Sequence, residues 1–273
     1  MKFSREQLEK LHITLVEMLR FIDEFCEEEG IEYFLNCGSV LGAVRHEGFI
    51  PWDDDIDIML PRDSYEKFCA ELKKRTELPY FLQDETNETN YFCLFAKLRK
   101  KDTVFVEKDS VGAYENNGIY IDIFPLDYTD EVESFGYHLD ALRIRLIKQT
   151  LRFRYCKGKY DKSRKLHYII HFLATIPYYF RSRDYLFKTA NKLMKKRNSK
   201  SKKYVVSYAG IYGMEKETFP YDVIFPAVRK SFEDSKYPIC NDYDSYLKQY
   251  YGDYMKLPPE EQRHTHEPAC FKF

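Results

Sequence analysis

The chain has 273 residues, 44% hydrophobic and 32% charged, an ordinary soluble balance with room for one large domain or two small ones around a sizeable core. Seven scattered cysteines with no C-x-x-C pair and an odd total argue against a disulfide framework or a zinc ribbon. A net charge of −1 conceals an asymmetry: residues 141–203 hold 20 Lys or Arg against two acids, +18, so the remainder carries −19.

The charged N-terminus carries no apolar signal stretch, which makes a cytoplasmic chain the simplest reading. Residues 4–29 are expected to form an amphipathic helix. Ser4 and Gln7 make a capping box, Phe3 and Leu8 sit at staple positions, and Leu8, Leu11, Leu15, Leu19, Ile22 and Phe25 follow the helical period. Gly30 supplies the stop. "IEYFLN" reads as a short strand and "GSVLGAVR" as a turn opening a short helix. The loop "HEGFIPW" leads to "DDDIDIML", whose D-I-D-I part reads as a strand ended by Pro61 and Arg62. Asp63 is expected to cap the helix that follows, with Glu66 three residues on. "YFLQDE", "YFCLFAKLRK", "TVFVEK" and "GIYIDIFPLD" are candidate strands. From about 131 to 203 the chain turns helical and basic, and "DYDSYLKQYYG" predicts a short helix in the tail. The fold class is therefore α+β: a mixed sheet with flanking helices over 1–130, then a mainly helical, basic part over 131–273 whose tail completes the site.

Four aspartates occupy the five positions 53–57. In a strand, residues two apart share a face, so Asp55 and Asp57 would project together with Cα atoms roughly 6.5 Å apart at ~3.3 Å per residue. Ile56 and Ile58 would then face the core. Carboxylates at that spacing repel unless a cation lies between them, and oxygen ligands suit Mg²⁺ or Mn²⁺. A calcium EF-hand loop fails by position: counted from Asp53, its glycine falls on Ile58 and its terminal acid on Ser64. A solvated acidic edge is the competing reading. Asp122, flanked by Ile121 and Ile123, repeats the pattern and would face the same cation if its strand lies alongside; Asp127 is a weaker candidate. "NCGSVLGAVR" offers a place for phosphate: Gly38 admits a close backbone approach, Ser39 adds a hydroxyl, and a helix begins there.

A G-S turn, a D-x-D strand and a later aspartate resemble the nucleotidyltransferase superfamily. "GSVLGAVRHEGFIPWDDDIDIMLPRDSYEKF" (38–68) is similar to the defining segment of the LicD family, bacterial phosphocholine transferases related to fukutin-related protein. "YGDYMKLPPEEQRHTHEP" (251–268) resembles that family's C-terminal segment. The resemblance implies a nucleotidyltransferase-like core. It implies transfer of a phosphoalcohol, first of all phosphocholine, from a CDP-alcohol to a sugar hydroxyl of a surface polysaccharide or its lipid-linked precursor, with CMP leaving. Its metal-binding aspartates map onto Asp55, Asp57 and Asp122, and its phosphate-binding turn onto Gly38 and Ser39.

Arg45, close to the G-S turn, and Lys97, on a strand, are further candidates for phosphate contact; a solvated charge is the alternative for each. Asp53 and Asp54 are read as shaping the loop or binding an outer-shell water rather than as ligands, and His46 as structural. His264 and His266 either line the site or lie at the surface. The 24 tyrosines could cage a quaternary ammonium or simply pack. The basic segment surrounds "YIIHFLATIPYYF" (168–180), too short to span a bilayer: a buried helix, or one that docks on an anionic membrane surface through 141–203 at the inner membrane face. Nucleic acid ranks below these, since no nucleic-acid motif is present.

Overall fold

The computed structural model describes residues 3–156, 165–198, 202–263, 265 and 268–273. The first helix, α1 (Arg5–Glu29), has the expected capping box at Ser4 and Gln7 and ends at Gly30 in the left-handed conformation, φ 60°. Leu11, Leu15, Leu19 and Ile22 on its apolar stripe have no solvent exposure; burying each contributes about 1.5–3 kcal/mol. Phe3, read as a staple, packs its ring on Phe105 and Phe271.

Next come β1 (Phe34–Leu35), α2 (Cys37–Arg45), β2 (Asp57–Pro61) and α3 (Arg62–Lys74). Two local expectations change here. The strand begins at Asp57, so Asp55 lies in the approach to it. Pro61, not Asp63, is the N-cap of α3, which starts one residue after the strand ends; Asp63 sits in the first turn, where its charge suits the helix dipole. The strands β3 (Tyr80–Gln83), β4 (Ala96–Lys100) and β5 (Val104–Val106) follow. Residues 91–95, expected to extend β4, stay outside it. The Tyr91 hydroxyl bonds the Phe95 carbonyl at 2.8 Å, and Arg183 takes the Tyr91 carbonyl at 3.3 Å.

The ten-residue strand β6 (Tyr120–Thr129) is the hub of the main sheet. The sheet order is β1-β2-β6-β4-β3, with β2 parallel to β6 and the other pairs antiparallel. The second part of the chain contains α4 (Phe135–Tyr155), α5 (Lys165–Tyr179), α6 (Arg183–Met194), α7 (Met214–Glu217), α8 (Tyr221–Ile224) and α9 (Tyr243–Tyr251). It is mainly helical, yet it also returns strands. β7 (Tyr204–Val206) pairs with residues 127–129 of β6 and with β8 (Thr218–Pro220). β9 (Val228–Phe232) and β10 (Ser235–Ile239) form a hairpin, and β11 (Cys270–Lys272) pairs with β5. One apolar cluster runs from Leu11 to Tyr254, continuous across residue 130. No disulfide joins the cysteines of the described residues.

A buried ion pair lies just before that boundary, and a residue from beyond it joins the pair. Arg62 grips Asp127 with two bonds, Nε to Oδ1 at 2.9 Å and a terminal nitrogen to Oδ2 at 2.6 Å, and Asn198 adds a third to Oδ1 at 2.7 Å. Asp127 is thus engaged in the core, on β6 but away from the aspartate run.

Candidate active site

The acidic run is held from three sides. From α1, the His12 ring bonds the Asp53 carbonyl at 2.7 Å and stacks on Phe49 with centroids 3.8 Å apart. From the β9–β10 hairpin, Glu233 accepts the Phe49 N–H at 2.9 Å and lies so close to Gly48 that a Cβ there would fall 2.3 Å from its carboxylate. From the tail, Arg263 lies over the Trp52 ring at 4.5 Å. The carboxylates of Asp53, Asp54 and Asp55 converge: each offers an oxygen within 4.8 Å of the others. Beyond Asp54 the predicted alternation holds, with Asp55 and Asp57 half-buried and Ile56 and Ile58 buried.

Sheet register then sets the rest of the site. Asp57 on β2 stands opposite Asp122 on parallel β6, and Lys97 on β4 stands opposite Asp122 from the other side. The Asp122 N–H donates to the Ile56 carbonyl at 3.1 Å, tying β6 to the acidic loop. Lys97 donates to Asp122 Oδ1 at 2.7 Å, lies 3.6 Å from Glu107, and sits 3.7 Å from the centroid of the Tyr120 ring. Burial pushes the Asp122 carboxyl up to about 6; Lys97 opposes this, while Glu107 and Asp55 reinforce it. Burial alone would depress the Lys97 ammonium, but Asp122 and Glu107 outweigh it and raise its pKa. The buried Lys97 ammonium thus faces two carboxylates, Asp122 and Glu107.

The G-S segment is the first turn of α2 rather than a turn before it. Asn36, at the N-cap, gives no side-chain cap. Its amide oxygen instead accepts the Tyr246 hydroxyl at 2.6 Å, and that hydroxyl accepts the Cys37 N–H at 3.1 Å. The helix start is therefore anchored by α9, with the Tyr246 hydroxyl on the Cys37 N–H and the Asn36 carbonyl on the Ser39 N–H at 2.9 Å. Ser39 Oγ accepts the Asp57 N–H at 3.0 Å, which leaves its hydroxyl hydrogen outside that bond. At Gly38 a Cβ would sit 3.1 Å from Asp53 Oδ2, so glycine here lets the acidic loop lie against the helix start.

The structure does not bring Arg45 to that turn. It lies at the opposite end of α2, roughly 9 Å along the axis from Ser39 at 1.5 Å per residue, and bonds the Tyr254 carbonyl at 2.7 Å and His46 at 2.9 Å. Burial lowers the pKa of both Arg45 and His46. His264 and His266 lie outside the described residues. Four further charged residues lie outside the set that the sequence assigned to the site. Asp53 and Asp54 join the carboxylate group, and the unbroken D-D-D run was their only signal. Glu107 follows β5 with nothing in its local sequence to mark it. Lys148, from the basic helix α4, donates to the Gly210 carbonyl and to Ala209 at 3.5 Å; burial lowers its pKa, opposed mainly by nearby Glu217.

The tyrosines mostly pack. Tyr246 and Tyr250 are core residues with ring centroids 5.0 Å apart, joined by Phe219 at 4.8 Å from Tyr246. Tyr212 and Tyr251 border this group at 5.3 and 5.9 Å from Tyr250, and both are half-buried within electrostatic range of Asp57 and Cys37.

A mixed sheet with flanking helices that sets an acidic loop, an aspartate pair in parallel register and the start of α2 side by side is a fold of nucleotidyltransferase type. Residues 30–156 match the family model described as LicD/FKTN/FKRP, nucleotidyltransferase domain. The lipopolysaccharide cholinephosphotransferase LicD of Haemophilus influenzae is 30% identical over 275 aligned positions, covering 95% of each chain. The chain belongs to the LicD family. The human ribitol 5-phosphate transferase FKRP is 27% identical over 134 residues, 47% of this chain and 26% of that one. An uncharacterized protein of Rickettsia prowazekii is 34% identical over 148 residues, 51% of each.

Proposed function

We propose that this protein transfers a phosphoalcohol, phosphocholine first, from a CDP-alcohol to a sugar hydroxyl of lipopolysaccharide or a related surface glycan or its lipid-linked precursor, releasing CMP. The observation that carries the reading is the parallel register of Asp57 with Asp122 beside the converging Asp53–Asp55 run and the start of α2. Full-length similarity to an enzyme named a cholinephosphotransferase supports the choice of group transferred.

The residues fit Mg²⁺ or Mn²⁺. Their donors are all carboxylate oxygens, and Asp122 carries a charge that burial and its acidic neighbours make costly. Asp55, Asp57 and Asp122 would hold the ion, with Asp53 and Asp54 close enough to share it or to bind its water. When bound, the ion supplies neutralisation of the pyrophosphate charge and alignment of in-line attack.

The chain's own groups do the rest. The first turn of α2 and the Ser39 hydroxyl bind phosphate oxygens. The acceptor hydroxyl oxygen forms a bond to the phosphorus that bears the alcohol, the bond from that phosphorus to the bridging oxygen breaks, and CMP departs with the bridging oxygen. Asp122, its pKa raised toward neutrality, receives the hydroxyl proton. Lys97 holds Asp122 in place and limits the carboxylate repulsion around it. Tyr212 and Tyr251 offer partly open aromatic faces to a quaternary ammonium, which favours choline over an uncharged polyol.

The test is product analysis with Mg²⁺ or Mn²⁺, a panel of CDP-alcohols and a lipopolysaccharide acceptor. CMP release with the phosphoalcohol on the glycan is the expected result. Pyrophosphate release with a nucleotide on the acceptor would make it a nucleotidyltransferase instead.

A further inference from the structure

Helix α5 exposes what a globular protein ordinarily buries. Phe172, Leu173, Ile176 and Phe180, at and just beyond its C-terminal half, are 40%, 56%, 43% and 85% exposed. Residues 166–180 contain no Asp, Glu, Lys or Arg, while Lys165 precedes them and Arg181 and Arg183 follow. The helix is held to the protein by buried Thr175 and by α4. Arg143 donates to the Tyr178 hydroxyl at 3.3 Å, Arg154 to the Arg181 carbonyl at 2.6 Å, and the Phe153 ring meets Phe172 at 6.2 Å.

Length excludes a crossing. The fifteen residues of α5 span roughly 22 Å at 1.5 Å per residue, short of a hydrocarbon core of about 30 Å. Among the described residues no helix is long and apolar enough to cross a membrane. Charge chooses the partner. Arg145, Arg152, Arg181, Lys188 and Lys192 are exposed on α4, α6 and the turn between α5 and α6, and Asp184 is the one acid among the described residues of 141–203. A second copy could cover the apolar side chains only by bringing two segments of +18 together. A nucleic acid would satisfy the cations and leave the apolar side chains in water. An anionic bilayer answers both features.

We propose that α5 and the cationic residues around it dock this protein peripherally on an anionic lipid surface. Phe172, Leu173, Ile176 and Phe180 enter the boundary between headgroups and acyl chains, and Arg181 with its neighbours contacts lipid phosphates. The surface is separate from the aspartate site, so the inference does not depend on which group the enzyme transfers.

The experiment is flotation of the full chain with phosphatidylcholine vesicles and with vesicles containing about one-third phosphatidylglycerol. Binding to the anionic vesicles should exceed binding to the neutral ones by about tenfold or more, and should fall when salt rises from about 0.1 to about 0.5 M. The double substitution Leu173→Glu with Ile176→Glu should remove it, and so should Phe180→Glu with Arg181→Glu, without lowering Tm or CMP release with a soluble glycan acceptor. Equal binding to both vesicle types, binding to neither, or retention by both variants would overturn the proposal. So would light scattering that shows a dimer in the wild type and a monomer in the variants, which would make α5 a self-association face.

Discussion

Around Asp122 the charges are packed into a sheet, and their partners are set by strand register: Asp57 on one side, Lys97 on the other, Glu107 beyond. Around α5 and α6, Phe172, Leu173 and Ile176 face outward together with the exposed cations Arg181, Lys188 and Lys192. The acidic region is preorganised and costly, since carboxylates held near a core repel unless a cation joins them. The basic surface around α5 keeps its exposed cations solvated at little cost, but it leaves apolar area exposed. The contrast separates two jobs: chemistry where charge is buried and fixed, and attachment where charge is exposed and numerous.

The largest expected effect breaks the first region alone. Asp57→Asn or Asp122→Asn should lower turnover by about 10³-fold or more while leaving vesicle binding unchanged. Steady-state CMP release beside a flotation assay checks this, and the α5 double substitution should give the mirror image. Wild-type turnover in either aspartate variant would remove the carboxylates from the mechanism.

Arg62→Ala tests the buried charge beneath the first region. Asp127 would keep Asn198 but lose both bonds to its buried cation, and unfolding in urea should show a loss of about 3–5 kcal/mol. A smaller loss would mean that the apolar cluster, rather than this ion pair, secures the end of β6.

Protonation gives a third handle. With the Asp122 carboxyl near 6 in the metal-free protein, its protonation competes with metal binding, so kcat/KM at limiting metal should fall as pH drops through about 6. Stability responds in the opposite direction. Folding raises this pKa, so the contribution from Asp122 is largest below the ordinary carboxylate range and is lost as pH rises through about 6. A pH–rate profile paired with melting curves in chelator reads both trends. The smallest effect is expected from Ser39→Ala, which strips the Asp57 N–H of its acceptor: about 1 kcal/mol of stability and about tenfold in turnover.

Much of this was legible locally. The capping box of α1 and its glycine stop are contacts among residues three or four apart, so sequence alone specifies them. The burial alternation from Asp55 to Ile58 follows from the two-residue period of extended chain, even though the strand proper starts at Asp57. The start of α3 was misplaced because Pro61, with its fixed φ, serves as the N-cap in place of a side-chain oxygen. Lys97 looked like a free phosphate ligand because its strand gave no hint of a buried carboxylate one strand away. Arg45 looked close to the G-S turn because six residues are near in sequence, whereas a helix carries them to opposite ends.

By itself, then, the sequence determined the elements, the acidic run and the excess of positive charge in the second half, since each depends on neighbours along the chain. Only the tertiary structure decided that Asp57, Asp122 and Lys97 share one row and that Asp53 and Asp54 turn toward Asp55. It alone decided that Asp127 is taken by Arg62 and that α5 shows its apolar side chains to solvent. Those outcomes rest on strand register and on packing between residues tens of positions apart, and no local period encodes them.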